Sequence, residues 1–241
     1  LRYPGFGLRV DEDVPGELLA YIAHQLGVSS ASFDRYGRRS QTRQDHGRQI
    51  AHLLGLRAFM RDDVACLIEV AGAAAWSTDK GLPIATAVVD ALRADRIILP
   101  SPDTIERIGL AGRARARKLS AALLASALDE RQRSSIDVLL VNDPVLRSSP
   151  LAWLRDISES PSTGNLTDLL DRLAYVRGIG LDPSISDLIH EHRFRQFVRE
   201  GSVAPAFLLS DYSQNRRRAT LSAVTLDLET RLSDAAIGMF D

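Results

Sequence analysis

The stretch Gly16 to Arg39, GELLAYIAHQLGVSSASFDRYGRR, constrains this chain most, because a glycine divides two short runs of helical spacing. Leu18, Leu19 and Ile22 form an apolar stripe on the first run, and Ala23 is small enough to admit a second helix. Gly27 supplies the turn, since it takes φ > 0 without a Cβ clash. Val28 is predicted to plug the corner, and Phe33 and Tyr36, three apart, to dock the second helix on the first. Ser29, Ser30, Ala31, Asp34 and Arg35 are left facing outward, with Arg38 and Arg39 just beyond. Short polar side chains at a helix start, followed by arginines, suit a helix that enters the major groove and grips phosphates. An ordinary helical hairpin capped by Gly27 fits the same residues, because the motif is degenerate.

Charge is distributed unevenly. Net charge is only −1, which argues against a nonspecific polycation, yet lysine occurs only at Lys80 and Lys118 and the remaining basic charge is arginine. Arg35 to Arg48 holds five arginines, including Arg38, Arg39 and Arg43, against Asp34 and Asp45. Arg113, Arg115, Arg117 and Lys118 form a second cluster, Arg193, Arg195 and Arg199 a third, and Arg216, Arg217 and Arg218 a fourth. Acids gather elsewhere, as in DEDVPGE and LSDAAIGMFD, the pattern of local phosphate-facing patches on a neutral protein. Arginine replacing lysine on a solvated surface accounts for the residue type, though not for the clustering.

Organisation follows from prolines and glycines. The first helix is expected near Pro15 to Gly27, a short second over Ser30 to Arg35, and a third over Ser40 to Leu54 with Ile50, Leu53 and Leu54 on one side, stopped by Gly55. A second set runs from Arg61 to Ser77 (Val64, Leu67, Ile68 and Ala71 in register), from Pro83 to Arg93, and from Thr104 through the basic tract to Leu128, with Ser101 or Asp103 as cap. VNDPVLRSSP is the best candidate linker. Beyond it, helices are expected at Leu151 to Asp156, Leu166 to Arg177 with Asn165 as cap, Ile185 to Glu200, and Asp211 to Phe240. The β-branched runs RIILP and IDVLLV are too short and isolated to argue for a sheet. The expected fold is all-α, with tandem small helix-turn-helix-like subdomains at 1–57 and 58–143 and a third helical region at 144–241.

Chemistry is weakly encoded. His190 and His192 are two apart, roughly 200° around a helix, so they cannot share an ion, and His46 and His52 lack an acidic cluster. There is no G-x-S-x-G elbow or Walker loop, and no acidic pair stands out as acid and base, so neither catalytic residues, nor metal, nor cofactor is expected. No apolar run approaches a membrane span and no signal peptide opens the chain, so a cytoplasmic setting is expected. The lone Cys66 fits a reducing compartment and, by its spacing, a buried thiol. A start at Leu1, inside what reads as a helix-to-loop junction, suggests a piece of a longer chain.

Several segments in order, LRYPGFGL, LLAYIAHQLGV, RRSQTRQDHGRQIAHLLGLRAF, RADRIILPSPDTIERI, SPLAWLR and NRRRATLSAV, resemble the N-terminal region of Tn-three family replicative transposases. The resemblance implies helical subdomains that recognise double-stranded DNA of the terminal inverted repeat. It places Ala23 to Arg43 and Arg96 to Lys118 in DNA-contacting neighbourhoods, and Arg216 to Arg218 in the segment leading toward dimerisation and catalytic parts. The family's catalytic domain is a ribonuclease-H-like fold with a DDE triad, downstream of anything matched here, so Asp90, Asp129 and Asp187 are not assigned to it. The family's sequence also begins several tens of residues before LRYPG, which would leave the first subdomain N-terminally incomplete. Homodimerisation is expected only through the full-length parent. The reading from another class is a helical protein-interaction scaffold whose arginines face acidic partners or water.

Overall fold

The computed structural model describes residues 14–35, 39–157 and 162–239, and every regular element among them is helical. Two isolated bridges, Arg57 with Ile97 and Asp143 with Ser148, are the β features of the described residues. The chain divides into two units. One comprises the residues up to Ala71 together with Ala85–Gly109, the other Gly72–Ile84 together with the residues from Leu110 onward.

In the first unit, α1 spans Gly16–Leu26 and stops where Gly27 takes φ 63° and closes its N–H back onto the last turn. The segment after it, Ser30–Arg35, is a 3-10 turn where an α-helix was predicted. Its i→i+3 geometry is seen in the Ser32 N–H to Ser29 carbonyl bond of 2.9 Å. Serine and aspartate side chains compete locally with backbone bonds, and six residues give no length over which an α-helix could recover. So short a partner covers little. Ala23 is buried as expected and Leu19 half-buried, but Leu18, Ile22, Val28 and Phe33 are 48%, 43%, 52% and 37% exposed, so these side chains are less deeply covered than the sequence predicts. Tyr36 and Arg38 lie outside the described residues.

The remaining elements of this unit start close to where the sequence put them. α2 spans Ser40–Leu53, and Gly55 at φ 63° ends it. Ala51 faces inward, whereas Ile50 and Leu53 are exposed, a rotation of about one residue from the predicted face. α3 spans Asp63–Ala74 with Leu67 and Ala71 buried. Cys66 is exposed, because its neighbour Leu67 holds the inward register and the next position back lies about 100° away. α4 spans Gly81–Ala94 around buried Val88 and Leu92, and α5 spans Pro102–Ser126. α5 begins two residues before the predicted Thr104, since proline suits a first helical position whose N–H has no partner. Arg57 donates its N–H to Arg96 and accepts from Ile98, both at 2.9 Å, while its guanidinium holds Asp63 at 2.7 and 2.9 Å.

The second unit is built on one helix. α6 (Glu130–Val138), which the sequence did not signal, carries a capping box between Asp129 and Gln132. α7 spans Pro150–Arg155, and α8 spans Thr163–Ile179 with Ser162, instead of the expected Asn165, as its cap. The predicted helix from Ile185 to Glu200 is split into a 3-10 turn, Pro183–Leu188, and α9, Glu191–Val203. Ile189 is extended, and the His190 ring caps α9 by accepting the His192 N–H at 3.1 Å. A short α10, Ala206–Ser210, precedes α11, Gln214–Gly238, which starts after Ser213 and later than Asp211.

All seven residues from Ala219 to Thr225 are buried, so α11 is enclosed on every side along this stretch. Leu221, Val224, Leu228 and Leu232 belong to a core with α6, α7, α8 and α10, and Ala219 and Ala223 to another with α5, α9 and Trp76. VNDPVLRSSP folds back on itself, with the Asp143 N–H donating to Ser148 at 3.0 Å and the Asp143 carboxylate accepting from Val145 and Leu146. The boundary drawn at 143/144 falls inside this unit.

Candidate nucleic-acid interface

In the second unit, an open cleft of about 1240 Å³ is lined by α5, α9, α10 and the start of α11. Its α5 wall is the stripe Leu110, Arg113, Ala114, Arg117, Lys118 and Ala121, spaced three and four residues apart on one helical face. Arg115 lies two positions from Arg113 and Arg117 and is not part of that wall. α9 contributes Arg193 and Arg199, and α11 contributes Arg216, so three clusters far apart in the sequence meet at one place. Six cations line the cleft, against Glu200 as its acidic residue.

Those cations differ in what already holds them. Arg193 is 1% exposed and grips the loop between α3 and α4. It donates to the carbonyls of Ala75 and Thr78, to Gln196 at 3.0 Å, and pairs with Asp79 at 2.7 Å. Arg117 takes the same carboxylate from the cleft side at 2.8 Å, Gln196 donates to it, and Arg113 reaches the Asp79 carbonyl at 3.3 Å. Burial pushes the Asp79 carboxyl upward. The hydrogen bonds from Arg117 and Gln196 and the two guanidinium charges outweigh it, so its pKa lies below the ordinary value. Burial likewise lowers the pKa of Arg193, with Asp79 opposing. Arg216 stacks on the Tyr212 ring at 3.8 Å and pairs with Glu200. Lys118 and Arg199 are exposed and form no ion pair among the described residues.

Residues predicted to touch DNA are thus distributed. Arg113, Arg117 and Lys118 line the cleft, with Arg117 committed to Asp79, while Arg115 is exposed on another face of α5. In the first unit Ser29, Ser30, Asp34 and Arg39 are exposed, and Arg43 is half-buried. Its Nε is buried with no hydrogen-bond partner among the described residues. Arg38 and the side chain of Arg35 lie outside the described residues. The fourth cluster separates: Arg218 forks onto Asp137 at 2.7 Å and Arg217 approaches it at 3.7 Å, leaving Arg216 at the cleft. Arg199 and Arg216 belong to clusters the sequence displays. Their convergence with α5 needed the fold, and nothing in the sequence singled out Asp79 as the shared counter-ion.

Among the described residues, no group of three or more His, Cys, Asp or Glu could hold a metal ion, and no helix is long and apolar enough to cross a membrane.

Comparison with known proteins assigns the class. Residues 1–112 match the family described as a domain of unknown function (DUF4158). Over all 241 residues the chain is 30% identical to the transposase for transposon Tn501 of Pseudomonas aeruginosa and 31% identical to that for Tn3926 of Escherichia coli. It is 27% identical to the transposase for Tn1546 of Enterococcus faecium. The alignments take in the whole of this chain but only 24%, 24% and 25% of those relatives, so the chain spans about a quarter of their length. Residues 1–112 therefore carry the DUF4158 domain, and the chain as a whole is similar to about a quarter of several bacterial transposases.

Proposed function

We propose that this chain is the DNA-recognition region of a replicative transposase, binding the terminal inverted repeat of its transposon without catalysis of its own. The observation that supports this best is the meeting of basic residues from α5, α9 and α11 at one cleft of a chain whose net charge is only −1. The two units would each engage a stretch of one repeat, with the helix that bears Arg216 to Arg218 leading toward the dimerising and catalytic parts of the parent. In the first module, α1, Gly27 and the 3-10 turn would act as a helix-turn-helix-like reader. Ser29, Ser30, Asp34 and Arg35 would meet base edges, and Arg38, Arg39 and Arg43 phosphates. Arg115, whose side chain lies beside α3 at Gly72, would add a phosphate contact from another face of α5 than the cleft wall. Tandem modules of modest strength gain affinity through effective concentration, which suits a long repeat. The setting is the bacterial cytoplasm, where DNA of this kind resides.

Fluorescence anisotropy on duplexes carrying the repeat end or a scrambled sequence, across a salt series, tests the proposal. Tighter binding to the repeat end, with log affinity falling linearly in log salt, is the expected result. Both duplexes should stay intact with magnesium or manganese. Equal, salt-independent titrations, or none, would leave the interaction-scaffold reading standing instead.

A further inference from the structure

Resting on that reading, we infer that the cleft of the second unit is a sequence-blind grip on the DNA backbone, and that Lys118 and Arg199 are its principal phosphate ligands. The proposed function counts Arg199 and Arg216 among the basic residues of the cleft and gives Arg199 and the first turn of α11 no separate task.

Three observations carry the inference. First, the cations sort into two layers. Arg193 and Arg117 are held by Asp79 and build the wall, whereas Lys118 and Arg199 stand exposed with no ion pair among the described residues. An incoming phosphate therefore meets two cations whose charge no carboxylate has neutralised, with Arg113 beside them. Second, α11 begins at the cleft. Ser213, Gln214, Asn215 and Arg216 line it, and Ser213 makes no side-chain cap, so the first-turn amides and the positive end of the helix dipole add to the same field. Third, between the cations of α5 and α9 the surface is Leu110, Ala114, Val203, Pro205 and Leu208, whose side chains offer base edges no donor or acceptor. The polar side chains Ser213, Gln214 and Asn215 line the cleft at the start of α11. Gln196, which also lines the cleft, is already tied to Asp79 and Arg193. A cleft so lined holds a backbone and offers base edges little to read, so choice of sequence falls mainly to the other unit.

The test uses the whole chain and the double variant Lys118→Ala/Arg199→Ala, with Arg195→Ala as a control on the same helix. Arg195 is exposed, pairs with Glu191 and does not line the cleft. Both double-variant positions are exposed, so circular dichroism and melting temperature should match the parent. Losing two phosphate contacts should lower the log–log salt slope by about 1.8. A rise from 50 to 200 mM salt would then cost the double variant about twelvefold less affinity than it costs the parent. The ratio of affinities for repeat-end and scrambled duplex should stay as in the parent, and Arg195→Ala should leave slope and ratio unchanged.

If the parent binds no duplex, the proposed function fails and the inference with it. If the parent binds and the double variant keeps its slope, the inference alone is overturned. A fall in the ratio of affinities would show that the cleft reads bases. If a phosphate-free amphipathic peptide of leucine and glutamate binds the parent tightly, loses affinity in the double variant, and is not displaced by duplex, the cleft is a protein-docking surface and the inference is overturned.

Discussion

Gly201→Val should unfold the second unit at markedly lower temperature, and even Gly201→Ala should destabilise it. A Cβ built at Gly201 would lie 2.8 Å from the Cβ of Val224 and 3.0 Å from the Thr220 carbonyl oxygen. Both atoms are fixed to the backbone of α11, so no rotamer change relieves the clash and α9 must move as a body. That movement would also pull the Gly201 carbonyl from the Arg155 guanidinium that donates to it. Forcing extra atoms into a packed core costs about 1–3 kcal/mol, and valine belongs at the top of that range or above. For a unit of this size, each kcal/mol lowers Tm by roughly 2–4 °C. Gly178 in α8 is the control, because a Cβ there meets nothing within 4 Å. Gly178→Ala should therefore raise stability, by up to about 1 kcal/mol, through helix propensity alone. Stabilisation by both alanines in thermal melts would disprove the close approach of α9 to α11.

Arg193→Met should be comparably damaging, for a different reason. Its guanidinium is buried and serves the Ala75 and Thr78 carbonyls, Gln196 and Asp79 together. Removing one partner of a buried pair costs up to about 3–5 kcal/mol; here the Ala75 and Thr78 carbonyls lose their guanidinium donor, while Asp79 keeps Arg117 and Gln196. Arg193→Lys should recover little, since an ammonium lacks the fork that meets several acceptors at once. The same cluster sets a pH window. Asp79 has a folded pKa below its unfolded value, so its stabilisation is complete above the ordinary carboxylate range, near pH 4, and fades as pH falls through the lowered value. Arg193→Met should shrink that acid-dependent part along with total stability. An unchanged acid-unfolding midpoint, followed by circular dichroism, would show that Asp79 is not held as described.

Legibility of the sequence varied with the physics behind each signal. Helix ends marked by a backbone constraint were readable: Gly27 and Gly55 both adopt positive φ and end α1 and α2. Caps that any of several nearby polar residues could supply were not, and the cap of α8 went to Ser162 in place of Asn165. α6 escaped because Glu130–Val138 is polar over most of its length and carries no full apolar stripe, while its capping box depends on side-chain geometry. Inward faces in the first unit were misjudged where Ala51 took the buried position over Ile50 and Leu53, and where Leu18 and Ile22 stayed exposed beside Ala23. For the candidate site, arginine clustering was visible in composition. Which arginines are tied to Asp79, Asp137 or Glu200 is decided by residues tens of positions away, beyond the reach of any local pattern.

The hold of Arg193 on the α3–α4 loop bears on how this protein can be dissected. A cut at residue 112 follows the matched family domain, yet it separates Asp79 and the Ala75 carbonyl from Arg117 and Arg193. It also strips Trp76 of the apolar cluster that covers it. The downstream piece would be left with a buried guanidinium lacking its counter-ion. Each piece alone is therefore expected to be sticky and short-lived. Co-expressed, the two should behave as complementary halves that reassociate, and Arg193→Met should abolish that rejoining.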